Sequence, residues 1–74
     1  MTLRDCPPGA PVLLRDMTAV GAERRRMLEW GFVPGARLRL VARSLAGGLV
    51  VALGDARVAL DAGLARSLIV EPAW

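Results

Sequence analysis

Residues 24–35 read RRRMLEWGFVPG, and within this stretch a short helix is ended, turned and handed to a strand. Glu23, just upstream, falls in the first turn of a helix predicted over Gly21–Trp30, where a negative charge suits the positive end of the helix dipole. Met27 and Leu28 lie near Arg24 on one face of that helix, while Arg25, Arg26 and Glu29 face water. Gly31 stops it. A glycine after the last helical residue takes the left-handed conformation of a Schellman cap, with Phe32 placed to pack back on Met27. Pro34-Gly35 then makes a turn, proline supplying the fixed φ of the first corner and glycine the positive φ of the second. A strand is predicted to begin at about Arg37.

That strand, RLRLVARS over Arg37 to Ser44, alternates. Leu38, Leu40 and Ala42 share one face and Arg37, Arg39 and Arg43 the other, the pattern of a half-buried strand. Leu45 to Gly48 makes a loop into a strand over Leu49 to Leu53, and Gly54-Asp55 is a two-residue hairpin signal. With those two residues as the loop, Leu53 faces Ala56, Val51 faces Val58 and Leu49 faces Leu60. Asp61 caps one helical turn, Ala62 to Arg66, by accepting from the Leu64 amide. A last strand runs from Ser67 to Glu71 and Pro72 ends it. Towards the N-terminus, Leu3 is the first buried side chain and Pro7-Pro8-Gly9 a loop. A strand follows from Ala10 to about Met17, with Pro11 tolerated only at its start or on an edge. Val12 and Leu14 share its inner face, and Thr18 to Val20 lead to the helix.

The sequence therefore predicts a mainly β domain over residues 1–74: five short antiparallel strands, one helix between the first and second, and one helical turn before the fifth. So short a chain buries an apolar face by rolling its sheet into a barrel, which also removes exposed edges. The expectation is an SH3-like β-barrel. A chain of 74 residues lies near the lower limit for an unstapled core. Its one cysteine, Cys6, allows no intramolecular disulfide and is read as a half-buried small apolar residue. With no histidine a structural zinc site has no ligand set, so the 54% of hydrophobic residues must supply the stability. Apolar runs are too short to span a bilayer. The opening MTLRDCPPG has no apolar segment and carries two charges, so no signal peptide and a cytoplasmic location are expected. Trp74 is read as frayed.

A search for chemistry returns little. Without histidine, lysine or tyrosine, Ser44 and Ser67 have no plausible base, and neither lies in a G-x-S-x-G frame. The acids Asp5, Asp16, Glu23, Glu29, Asp55, Asp61 and Glu71 are scattered. Gly47-Gly48 lacks the frame and the lysine of a phosphate loop and is read as a turn. No enzyme, no cofactor and no metal site are expected. The net charge of +3 is carried by ten basic residues, all arginine. It permits an acidic or nucleic-acid partner without demanding one.

In this order, from Leu3 to Glu71, the chain resembles the FeoA family, small cytoplasmic accessory proteins of bacterial ferrous iron uptake. The helix-to-strand segment is similar to that family's Arg-Arg-x-Leu-x-x-x-Gly-hydrophobic-x-Pro-Gly pattern. It is matched by Arg25, Arg26, Leu28, Gly31 (one residue early), Pro34 and Gly35. Leu60, Ala65, Leu68 or Ile69, and Val70 match its closing L-x-x-x-x-A-x-x-I-x-V. The resemblance implies an SH3-like barrel that works with FeoB, a membrane transporter with a cytoplasmic GTP-binding domain, and does not itself carry iron. Transition metal ion binding is associated with the family, yet this chain lacks the histidine and clustered acids that ferrous iron favours. Asp61 stands where the family usually has arginine, and Ala46-Gly47-Gly48 replaces a Leu-Gly-Asp-Pro-like hairpin. At a rim contact surface these departures imply a different or weaker partner contact. The same fold also occurs as a terminal domain of metal-dependent repressors.

The candidate partner surface comprises Arg24, Arg25, Arg26, Trp30, Arg37, Arg39 and Arg43, with Gly31, Pro34 and Gly35 as its structural turn. The partner expected is the transporter's GTP-binding domain or membrane core, without nucleic acid and without membrane insertion. Arg24, Arg25 and Arg26 either meet an acidic face or form an ordinary solvated helix face. Arg37, Arg39 and Arg43 form a like-charged stripe whose members repel modestly. Trp30 is either an exposed anchor or a lid over the barrel's end. An RNA-binding barrel is the alternative, opposed by the lack of a stacking platform. A module for proline-rich peptides lacks its aromatic groove.

Overall fold

Short runs rich in leucine and valine, bounded by turn residues, give five strands, β1 (Pro11–Met17), β2 (Arg37–Arg43), β3 (Leu49–Leu53), β4 (Ala56–Leu60) and β5 (Leu68–Pro72). In this computed structural model, which describes residues 1–73, they form one antiparallel sheet in the order β4-β3-β2-β1-β5. The reading of Trp74 lies outside the described residues. Helix α1 (Gly21–Trp30) joins β1 to β2, and the short helix α2 (Ala62–Ser67) precedes β5. The β3–β4 hairpin has the expected register, with Leu53 opposite Ala56, Val51 opposite Val58 and Leu49 opposite Leu60. Residues directly opposite in an antiparallel pair share a face. The rows Val12–Leu38–Leu53 and Leu40–Val51–Val58 therefore line the inside of a rolled sheet. Phe32, Leu3, Met27, Ala65 and Leu68 complete the core. Each large side chain so buried contributes about 1.5–3 kcal/mol.

Two bulges break the alternation. One lies between Leu14 and Asp16 on β1, the other between Leu40 and Ala42 on β2. The second overturns the expected pattern of that strand: Ala42 is exposed, not buried with Leu38 and Leu40. An extra residue at Val41 reverses the facing of everything after it.

Closure also differs from the expectation. The two outer strands, β4 and β5, are not neighbours in the ladder. Between them pack α2 and a 3₁₀ turn over Leu3–Asp5, and Thr2 bridges to Ile69 along the β5 edge. The Val70 amide donates to the Met1 carbonyl at 2.8 Å. The Asp5 carboxylate starts the 3₁₀ turn by accepting from the Thr2 amide (3.3 Å) and hydroxyl (3.2 Å). That turn was not among the predicted elements, although Thr2-x-x-Asp5 is its capping signal. Ser67 ends α2 instead of opening β5, its hydroxyl donating to the Leu64 carbonyl at 2.7 Å. Pro72 is the last residue of β5. Cys6 is fully buried, not half-buried, with its thiol donating weakly to the Thr2 carbonyl at 3.5 Å. Burial first, and the Asp5 charge second, push that thiol's pKa up.

Candidate functional site

The turn that positions the surface is built as its residues dictate. Gly31 takes φ 104°, its amide donates to the Leu28 carbonyl at 3.1 Å, and the Phe32 amide donates to the Met27 carbonyl at 3.0 Å. That bond pair defines a Schellman motif. Pro34 and Gly35 are the corners of the next turn, closed by the Ala36 amide on the Val33 carbonyl at 2.9 Å, with Gly35 at φ 90°. The Gly35 amide then donates to the Leu14 carbonyl at 2.7 Å, which docks the turn on β1 and sets the register of β2.

Arg39 of β2 lies opposite Pro11 on one side and Ala52 on the other, and Ala52 lies opposite Arg57. One outward row therefore reads Pro11–Arg39–Ala52–Arg57. Arg37, two residues earlier, shares that face and lies opposite Leu13. Because Pro11 and Ala52 are short, the face is recessed on both sides of Arg39. One depression of about 550 Å³ is bordered by Arg37 and Arg39, and a second of about 440 Å³ by Arg39 and Arg57, with Ala52 in the floor of both. The three arginines are exposed, and none has a carboxylate within ion-pair distance among the described residues. The one salt bridge among those residues joins Arg15 to Glu71 at 3.3 Å, at the margin near Leu13. Both partners are well hydrated, so it adds little stability.

Arg43 does not belong to this stripe. The β2 bulge sets it opposite Leu49, a core residue, and so on the inner side of the sheet. Its guanidinium donates to the carbonyls of Cys6 (2.9 Å) and Arg4 (3.0 Å), tying the N-terminal turn to the end of β2. Arg57 takes its place on the outer face. It was missed because the stripe was read along one strand; the hairpin register, which sets Arg57 opposite Ala52, held the signal.

The helix residues come from a different element than the sheet arginines. Arg25 and Arg26 are exposed, whereas Arg24 is half-buried and donates to the Met17 carbonyl at 3.3 Å, where it anchors the helix. Leu28, expected beside Met27 against the barrel, is 37% exposed. Met27 is the one buried residue of α1, which meets the barrel along a single line. Trp30 is 45% exposed.

Among the described residues, no three histidine, cysteine or acidic side chains come together as metal ligands, and no buried side-chain polar atom lacks a partner. Among the same residues, no helix is long and apolar enough to cross a membrane.

The chain is similar to several solved structures. Iron(II) transport protein A of Clostridium thermocellum is 26% identical with a TM-score of 0.89, over 99% of this chain and 46% of that one. This chain thus spans about half the length of that relative. The FeoA of Stenotrophomonas maltophilia, solved with zinc and described as a prokaryotic SH3 domain protein, is 33% identical with a TM-score of 0.78, over 96% of this chain and 89% of that one. A manganese-dependent transcriptional repressor is 26% identical with a TM-score of 0.84, over 97% of this chain and 41% of that one. No curated protein matches by sequence. The fold is SH3-like, as expected from the strand pattern. The FeoA domain model matches residues 1–72, all but the last two positions, and the chain belongs to the FeoA domain family.

Proposed function

We propose that this chain is a non-catalytic accessory module of ferrous iron uptake, acting in the cytoplasm on an FeoB-type GTPase-coupled membrane transporter. The observation that carries this reading is the family match over residues 1–72, together with the likeness to iron(II) transport protein A. The chain's own chemistry supports a binding role. It has no histidine, its carboxylates are scattered, and its serines have no base. What it offers instead is a sheet with a basic, recessed outer face. Arg25, Arg26 and Trp30 on α1 are further contact candidates on this reading; Arg24 and Arg43 serve first to hold the fold.

An amide-shift titration of the labelled chain with the isolated cytoplasmic domain of the transporter tests it, with ferrous ion and an RNA oligomer in parallel. Shifts with the transporter domain are expected. Silence with that domain and shifts with RNA would overturn the reading in favour of a nucleic-acid-binding barrel.

A further inference from the structure

We infer that the outer face of β1–β4, centred on Arg39, is a receptor groove for an extended, carboxylate-bearing segment of a protein partner. The inference deepens the accessory reading, and rests on it, by naming the surface and the chemistry of what it receives.

Charge comes first. From Trp30 to Gly54 the sequence contains no acidic residue, and β3 and β4 contain none either. Arg37, Arg39 and Arg57 therefore project from strands that hold no acid of their own. Glu71, opposite Leu13 at the margin, is engaged by Arg15, and Asp55 at the hairpin tip pairs with no arginine. Like charges on one sheet face repel, so an acidic ligand gains from relieving that repulsion as well as from pairing. Guanidinium forks accept carboxylates with two parallel bonds, which fixes orientation as well as supplying energy.

Spacing comes second. Arg37 and Arg39 are alternate residues of one strand, about 6.7 Å apart along it. The same interval separates alternate side chains of any extended segment. Acids at alternate positions of a segment running along β2 can therefore meet both arginines in register. Arg57, two strands from Arg39, lies about 10 Å across the face, within reach of a third carboxylate. The depressions on either side of Arg39, floored by Ala52, leave room for the segment's backbone and small apolar side chains. A phosphate backbone would also suit the charge, but among the described residues no aromatic side chain lies on this face for bases to stack on: Phe32 is buried and Trp30 lies on α1.

The test is an amide-shift titration of the full labelled chain with a blocked peptide alternating glutamate and valine, its glutamine counterpart, and a single-stranded RNA oligomer. The glutamate peptide is expected to shift Leu13, Arg37, Arg39, Ala52 and Arg57, and the glutamine peptide to leave them unmoved. Arg39→Ser and Arg57→Ser should each weaken binding about tenfold, with amide dispersion retained, while Arg66→Ser, at an exposed position of α2, should match the parent. No binding of the glutamate peptide, equal binding of the glutamine peptide, shifts confined to another face, or tighter binding of RNA at this face would each overturn the inference. The transporter domain separates the two readings. If it shifts residues of another face, the groove is not the partner site although the accessory role stands. If the glutamate peptide binds here, the domain stays silent and RNA shifts residues of another face, the groove stands and the accessory role falls.

Discussion

The Arg43 guanidinium donates to the Cys6 carbonyl at 2.9 Å across 37 positions of sequence. The β2 bulge makes the contact possible, because an extra residue at Val41 turns Arg43 from the outer face toward the barrel's seam. A side chain that alternation assigns to a binding stripe thus becomes a tie between the N-terminal turn and the sheet.

Arg43→Ser should therefore cost stability rather than partner affinity. Two hydrogen bonds to carbonyls are lost at a partly hydrated site, for about 1 kcal/mol. A urea melt should show a lower midpoint, whereas Arg39→Ser should melt like the parent. Equal melting of Arg43→Ser and the parent would show that the tie contributes nothing.

Gly31 sits at φ 104°, and an added Cβ would also approach the Leu53 side chain to 3.4 Å. Gly31→Val should destabilise by about 2–3 kcal/mol, because a β-branched residue resists positive φ. Thermal melting monitored by circular dichroism checks it, with Gly31→Ala expected between the two.

Asp61 accepts from the Leu64 amide at 2.8 Å and thereby opens α2, which fills the seam between β4 and β5. Asp61→Ala should cost about 1 kcal/mol, and Asp61→Asn should restore most of it. Chemical denaturation of the three proteins gives the comparison directly.

Cys6 is buried with its pKa raised above the ordinary thiol value. In the unfolded chain the thiol releases its proton at lower pH than in the fold. This contribution to stability is therefore intact below the ordinary thiol pKa and declines as pH rises through the folded one. Stability measured towards alkaline pH should fall less steeply in Cys6→Ala than in the parent. At neutral pH a thiol reagent should label Cys6 only through opening of the fold, far more slowly than in the unfolded chain.

Local chemistry was legible in the sequence. The glycine stop after Trp30, the Pro34-Gly35 turn, the Asp61 cap and the β3–β4 register each depend on a few adjacent residues whose φ preferences and hydrogen-bonding groups act at short range. The family pattern in residues 25–35 was legible for the same reason, since it records that local geometry. Part of the candidate surface, Arg37 and Arg39, followed from alternation alone. The rest depended on contacts between distant segments. A bulge is an accommodation between two strands, so the facing of Ala42 and Arg43 could not be read from β2 by itself. Arg57 joined the basic face only once β3 and β4 were laid beside β2. The seam between β4 and β5, which do not pair, was filled by α2 and the first residues. The sequence by itself determined the five strands, the two helices and the turns after Trp30 and Leu53; which arginines share a face, and which hold the barrel together, only the tertiary structure decided.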